Sequence, residues 1–260
     1  MSAAPSLLVF TDLDGTLLDH DSYGYGPALP ALDALKARRI PLVLASSKTA
    51  AEIAPLRAKL GREDCPAIVE NGAGILPAHA APEAGAADYA RLRAVLDGLA
   101  PGMRARFCGF GDMDAAGVAA ITGLPDAQAA LARRRAFSEP GVWDGTPAQE
   151  ADFVAALAAR GVQARRGGRF LTLSFGGTKA DRMAEIVAQY RPRRTLALGD
   201  APNDIEMLEA ADRGVIVANP HGTPLAPLPG EADGRISRTS KPGPEGWNAA
   251  VCAVLSGLGA

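Results

Sequence analysis

Cysteine is scarce: Cys65, Cys108 and Cys252 are the only three in 260 residues, form no Cys-x-x-Cys pair and leave one over from any pairing. That excludes a disulfide framework and fits a reduced, cytoplasmic compartment. There is no basic excess either, since 27 Lys+Arg face 29 Asp+Glu for a net charge of -2. Nothing therefore draws the chain to nucleic acid or to anionic lipid. No apolar run approaches the roughly 18 residues of a membrane span. Leu7 to Phe10 has no basic residue before it and meets Asp12 almost at once, so it lacks the apolar core of a signal peptide. What is present is 48% hydrophobic and 22% charged residues, the composition of a soluble globular protein with one large domain or two moderate ones.

The first third alternates short apolar runs with amphipathic stretches, the pattern of a parallel sheet covered by helices. Leu7 to Phe10 reads as a buried strand. Pro27 opens a helix carrying Leu29, Leu32 and Leu35, and Ile40 to Ala45 reads as a second strand. Thr49 with Glu52 matches a capping box for a helix buried through Ile53, Leu56 and Leu60. Ala67 to Val69 reads as a third strand ending at Glu70-Asn71-Gly72. From about Leu76 prolines and glycines punctuate an alanine-rich, arginine-bearing stretch, which places a domain boundary near residue 80. Thr146-Pro147 with Gln149 starts another capped helix, and Phe170 to Phe175 alternates like a half-buried antiparallel strand. Buried-strand texture then returns at Thr195 to Leu198 and Val215 to Ala218. Pro220 to Pro244 reads as a loop.

Two carboxylates, in Thr11-Asp12-Leu13-Asp14-Gly15-Thr16, follow the first strand, where open parallel sheets place their binding crevice. They suit phosphoryl transfer, one attacking phosphorus and the other protonating the leaving oxygen, or simply an Asx-type turn. An EF-hand is excluded because the glycine is fourth in the run rather than sixth. Leu198-Gly199-Asp200-Ala201-Pro202-Asn203-Asp204 offers hard oxygen ligands for Mg²⁺, or a helix N-cap. Ser46, Ser47, Lys48 and Thr49 sit where a strand gives way to a helix N-terminus. Lys179 starts a further helix, either over a phosphate or as solvated surface. Gly72-Ala73-Gly74 is no dinucleotide loop, since Pro77 replaces the last glycine of that fingerprint.

In order along the chain, these four signals resemble the haloacid dehalogenase superfamily of phosphatases, whose motifs read D-x-D-G-T, a Ser or Thr, a Lys, and G-D-x-x-N-D. The resemblance implies an α/β fold with a doubly wound parallel-sheet core, residues 1–80 and 176–260, and an inserted α+β cap, residues 81–175. It implies Asp12 as nucleophile and metal ligand, and Asp14 as general acid and then base, with its carbonyl on the metal. Ser46 is then set on the phosphoryl oxygens and Lys179 on the transferring group. Mg²⁺ is ligated by Asp200, with Asn203 and Asp204 completing or orienting its shell. Ser46-Ser47-Lys48-Thr49, Glu70-Asn71-Gly72, Gly167-Gly168-Arg169-Phe170 and Gly243-Pro244-Glu245-Gly246-Trp247 further resemble the mannosyl-3-phosphoglycerate phosphatases. That similarity implies Ser47, Lys48, Asn71, Gly72, Arg135, Glu139 and Arg169 as substrate-binding residues for a small phosphorylated sugar-glycerate. The expectation is a monomer or small homo-oligomer with no nucleic acid or membrane partner.

Overall fold

The computed structural model describes residues 4–82, 86–167 and 169–258; Gly168 of the Gly-Gly-Arg-Phe stretch lies outside them. The strands are β1 (Leu8–Thr11), β2 (Leu42–Ala45), β3 (Ala67–Val69), β4 (Gly74–Leu76), β5 (Phe107–Gly109), β6 (Ser138–Trp143), β7 (Gln163–Gly167), β8 (Phe170–Ser174), β9 (Thr195–Gly199), β10 (Arg213–Ala218) and β11 (Ile236–Pro242). Seven of them form one sheet in the order β11-β10-β9-β1-β2-β3-β4. All its pairs are parallel except β3 with β4. Every residue of β1, β2, β3 and β9 is buried, because helices cover both faces and leave no side of the strand to water.

The helices are α1 (Leu29–Ala37), α2 (Ala50–Lys59), α3 (Ala86–Asp97), α4 (Pro101–Arg104), α5 (Ala115–Thr122), α6 (Asp126–Ala132), α7 (Pro147–Ala158), α8 (Lys179–Tyr190), α9 (Ile205–Ala210), α10 (Pro229–Ala232) and α11 (Gly243–Gly257). On one face of the large sheet, Val9, Leu42 and Leu44 pack with Leu32 and Leu35 of α1, Ile53 of α2, and Trp247, Val251 and Leu255 of α11. On the other, Leu8, Phe10 and Val43 pack with Met183 and Ile186 of α8 and with Met207 and Leu208 of α9. From β1 the chain steps outward through β2 and β3, and later outward the other way through β9 and β10. The order therefore reverses beside β1, which opens a crevice at the carboxyl ends of β1, β2 and β9.

The chain between β4 and α8 builds a second, fully antiparallel sheet, β5-β6-β8-β7. Leu92 and Leu96 of α3 and Phe153 and Leu157 of α7 cover it over Phe107, Leu171 and Leu173. Hydrogen bonds to Glu70 and from Thr49 tie this part of the chain to the large-sheet side. Glu70, buried after β3, accepts hydrogen bonds from the backbone N–H groups of Ala136, Phe137 and Ser138 at 2.8, 3.2 and 2.7 Å and from Ser138 Oγ at 2.7 Å. Thr49 Oγ1, at the start of α2, donates to Leu131 O of α6 at 3.1 Å. Among the described residues no helix is long and apolar enough to cross a membrane.

Two local expectations are corrected. Pro220 to Pro244 is not a loop: it holds α10, the edge strand β11 and the start of α11. Only Ile236 of β11 is buried, and the exposed Ser-Arg-Thr-Ser-Lys pattern keeps an edge strand from pairing with other chains while erasing the apolar signature of a strand. Leu29 is 47% exposed, although Leu32 and Leu35 of the same helix are buried. Arg133-Arg134-Arg135 directly follows α6, and Ser138-Glu139 opens β6.

Candidate active site

Three of the candidates occupy the first position beyond a buried strand. Asp12 follows β1, Ser46 follows β2 and Asp200 follows β9. Two glycines let the loops meet. At Gly15, whose φ is +78°, a β-carbon would stand 2.6 Å from Asn219 Nδ2 and 2.9 Å from Asp200 Oδ2, so any larger residue would push the first loop off the third. At Gly72, φ +88°, a β-carbon would fall 2.1 Å from the Thr178 carbonyl carbon. Gly72 thus lets the turn after β3 press against the beginning of α8, where Thr178 and Asp181 form a capping box. That packing fixes Lys179, the first residue of α8.

Lys179 is 1% exposed, with Nζ 2.6 Å from Asp12 Oδ1 and 2.6 Å from Asp204 Oδ1. The second Asp204 oxygen accepts from the backbone N–H groups of Asp200 and Ala201, both at 3.1 Å. Asp204 is thereby committed to orienting the lysine and the loop. Asp200 accepts from Thr16 Oγ1 at 2.5 Å and from Asn219 Nδ2 at 2.7 Å. Asp14 Oδ2 pairs with Lys48 Nζ at 2.8 Å, while among the described residues its buried Oδ1 has no hydrogen-bond partner. Behind Asp12, Thr11 Oγ1 donates to the Asp12 carbonyl at 2.7 Å and itself accepts from Trp247 Nε1 of α11 at 2.9 Å. The Gly-Pro-Glu-Gly-Trp stretch thus reaches the first acidic loop from the far end of the chain.

The electrostatics are dominated by crowding. Burial pushes the Asp12 carboxyl well above its ordinary range; Lys179 pulls it back, and Asp204 and Asp200 push it up again. Burial raises Asp200 too, against the hydrogen bonds from Thr16 and Asn219. Burial alone would lower Lys179, but Asp12 and Asp204 outweigh it and keep it charged. One oxygen from each of Asp12, Asp200 and Asp204 lies within 4.8 Å of the others. Three carboxylates share one ammonium, so a cation of charge two would neutralise the cluster, and a hard set of oxygen donors fits Mg²⁺.

The other candidates fall into two groups. Ser46 is buried beside this cluster and its Oγ accepts from the Lys48 N–H at 3.2 Å; Ser47 is exposed. Asn71, at φ 58°, accepts from Asn203 Nδ2 at 3.0 Å, bridging the turns after β3 and β9. Arg135, Glu139 and Arg169, by contrast, make no contact with the carboxylate cluster. Glu139 is 0% exposed and is enclosed by Arg93 Nη1 at 2.6 Å, Tyr89 Oη at 2.8 Å and the Gly111 N–H at 2.8 Å. Arg135 points to Glu70 Oε2 at 3.3 Å and Ser138 Oγ at 2.7 Å. Arg169 donates to Thr122 O at 3.2 Å and lies 5.4 Å from the Phe170 ring centroid. Buried charges need internal partners, and Glu139 and Arg135 already have them, whereas Arg169 is exposed. Glu70, Thr16, Asn219 and Trp247 received no role from the sequence. Glu70, Thr16 and Trp247 lie in quoted motif stretches and Asn219 in none, and the four act across 66, 184, 236 and 19 residues, respectively.

Three comparisons of structure match nearly the whole chain. A protein of Thermoplasma acidophilum superposes with a TM-score of 0.65 at 18% identity, over 96% of this chain and 98% of that one. The sucrose-phosphatase of Synechocystis sp. PCC6803, solved with sucrose and phosphate, gives 0.61 at 17% identity, over 97% and 98%. A subclass IIB sugar phosphatase of the haloacid dehalogenase superfamily gives 0.61 at 18%, over 96% and 99%. At these identities the likeness is one of fold. In sequence, the haloacid dehalogenase-like hydrolase family profile matches residues 9–89 and 173–223, about half of the chain and all four motif segments. This chain belongs to the haloacid dehalogenase-like hydrolases.

Proposed function

We propose that the protein is a Mg²⁺-dependent phosphatase of sugar phosphates that works through an aspartyl-phosphate, with 2-O-mannosyl-3-phosphoglycerate and its glucosyl analogue as substrates. The observation that carries the chemistry is Asp12: its Oδ1 is tethered by a charged, buried lysine, while among the described residues no hydrogen bond holds Oδ2. In this reading Asp12 Oδ2 attacks phosphorus as the ester P–O bond breaks, and Asp14 in its acid form gives a proton to the departing oxygen. Asp14 then takes a proton from the water that attacks the phosphoryl-aspartate, and Asp12 is returned with release of phosphate. Lys179 and Ser46 stabilise the charge on the phosphoryl oxygens. Asp12, Asp200 and the Asp14 carbonyl would hold Mg²⁺, with Asn203 and Asp204 supporting, and the bound ion would supply neutralisation of the phosphate and carboxylate charges. Residues 81–175 serve as a cap over the core formed by 1–80 and 176–260.

The sugar-phosphate class draws support from the fold shared with a sucrose-phosphatase and a sugar phosphatase. A broader sugar-phosphate phosphatase is favoured by one observation: Arg135 and Glu139 are already paired internally. The decisive test compares kcat/KM for mannosyl-3-phosphoglycerate, glucosyl-3-phosphoglycerate, 3-phosphoglycerate, mannose 6-phosphate and sucrose 6-phosphate at equal Mg²⁺. The narrow reading expects at least about a 100-fold preference for the glycosyl phosphoglycerates, roughly 2.7 kcal/mol at the transition state. A flat profile leaves the broader phosphatase.

Metal dependence has a sign that can be checked without turnover. Mg²⁺ should raise Tm at neutral pH, by about 2.7 kcal/mol of stability at 100 times its Kd. Asp12 and Asp200 hold protons above the usual carboxylate range, so protons compete with the ion and the gain should shrink as pH falls toward that range. An equal Tm gain in Asp200→Asn would count against this site.

A further inference from the structure

Tyr23 is one of two large apolar side chains that stand exposed among the described residues, at 45%. Its backbone is left-handed, φ 54°, a conformation that a bulky side chain rarely adopts. A tight turn enforces it. Ser22 donates through N–H and Oγ to Asp19 Oδ1 at 2.9 and 2.6 Å, Tyr23 N–H donates to Asp19 O at 3.0 Å, and Asp19 N–H donates to Gly24 O at 2.9 Å. Strain held in place by its surroundings, on a loop that continues the Asp12-Leu13-Asp14 segment, is a pointer to function rather than to packing.

The surroundings of the ring say what that function is. Lys48 Nζ lies 5.3 Å from the Tyr23 ring centroid and 2.8 Å from Asp14 Oδ2. In the proposed reaction Asp14 protonates the oxygen between phosphorus and the leaving group. The leaving group therefore sits on the Asp14 side of the ester, next to Lys48 and the tyrosine. A half-exposed aromatic face beside polar groups is a surface for the C–H face of a sugar ring, while the neighbouring cation suits its hydroxyls or an attached carboxylate.

We propose that Tyr23 is a specificity-determining residue that packs against the sugar ring of the leaving group. This rests on the phosphatase reading and names the part of the substrate that the first acidic loop recognises. The rival role for the ring is to screen Lys48 and so adjust Asp14, which would act through kcat rather than through KM.

The test measures Tyr23→Ala and Tyr23→Phe on mannose 6-phosphate and on acetyl phosphate, which has no ring. Tyr23→Ala should lower the ratio of kcat/KM for the sugar phosphate to that for acetyl phosphate about tenfold, through KM, and Tyr23→Phe should restore most of it. Equal losses on both substrates, or a loss confined to kcat, would overturn the proposal. A second measurement separates it from the reaction itself. In an Asp12→Asn background, calorimetry should show Tyr23→Ala weakening mannose 6-phosphate about tenfold more than inorganic phosphate. Equal weakening there refutes the tyrosine's role even if turnover is confirmed. Unequal weakening supports that role even where wild type releases no phosphate, the outcome that refutes the phosphatase reading.

Discussion

Asp12→Asn should abolish phosphate release from every substrate, by about 10⁴-fold or more in kcat, and should do so without loss of fold. Asparagine keeps the volume and one carbonyl oxygen but is no nucleophile toward phosphorus, and the other two carboxylates of the cluster are already engaged. Asp204 is held on both oxygens by Lys179 and two backbone N–H groups, and Asp200 by Thr16 and Asn219. Stability should move the other way from activity. Burial and two further carboxylates disfavour charge on Asp12, and that destabilisation disappears with the charge, while Lys179 keeps its contact with Asp204. The expected result is an inactive protein whose Tm at neutral pH in the absence of Mg²⁺ equals or exceeds that of wild type. Measurable turnover in the purified variant, insensitive to added wild-type contamination controls, would refute Asp12 as nucleophile. A sharp fall in Tm would refute the electrostatic account of the cluster.

The large sheet was legible because a buried parallel strand has no polar face. β1, β2, β3 and β9 are short unbroken apolar runs, and each ends where a polar residue must leave the core. The residues directly beyond those ends, Asp12, Ser46 and Asp200, can therefore be located from sequence alone. The capping boxes at Thr49, Thr146 and Thr178 are local chemistry four residues long, and the first two carry the Glu or Gln at the fourth position that marks such a box in a sequence, whereas Thr178 has Asp181 there. What escaped the reading is held by distant partners. β11 is polar because it is an edge, and its place comes from pairing with β10. Trp247 reaches Thr11 across the whole chain, and Glu70 collects three N–H groups from a segment more than 60 residues on. The smaller sheet was harder for the same reason: an arginine in it can face a ligand or a buried glutamate, and sequence does not distinguish the two. Arg135 and Glu139 turned out to have protein partners.

Lys179→Met should be the most destabilising single change in the site and should also cost about 10²- to 10³-fold in kcat. Methionine has nearly the length of lysine and no charge, so the buried volume is largely kept while Asp12 and Asp204 lose their common ammonium. Breaking a buried pair by removing one partner costs about 3 to 5 kcal/mol, because the remaining charge is left uncompensated. The pH dependence identifies the cause. In wild type Asp12 already holds its proton above the ordinary carboxylate range, and without Lys179, which pulls it down, it must hold it more tightly still. A folded-state value raised above the unfolded one contributes stability that is fully present below the unfolded value and is lost as pH rises through the folded one. Unfolding in urea should therefore show the deficit of Lys179→Met small near pH 4 and growing toward pH 7. Adding Asp12→Asn to Lys179→Met should return part of the lost stability at pH 7 and none of the activity. A deficit independent of pH would instead trace the loss to packing, and would remove Lys179 as the balancing charge of the cluster.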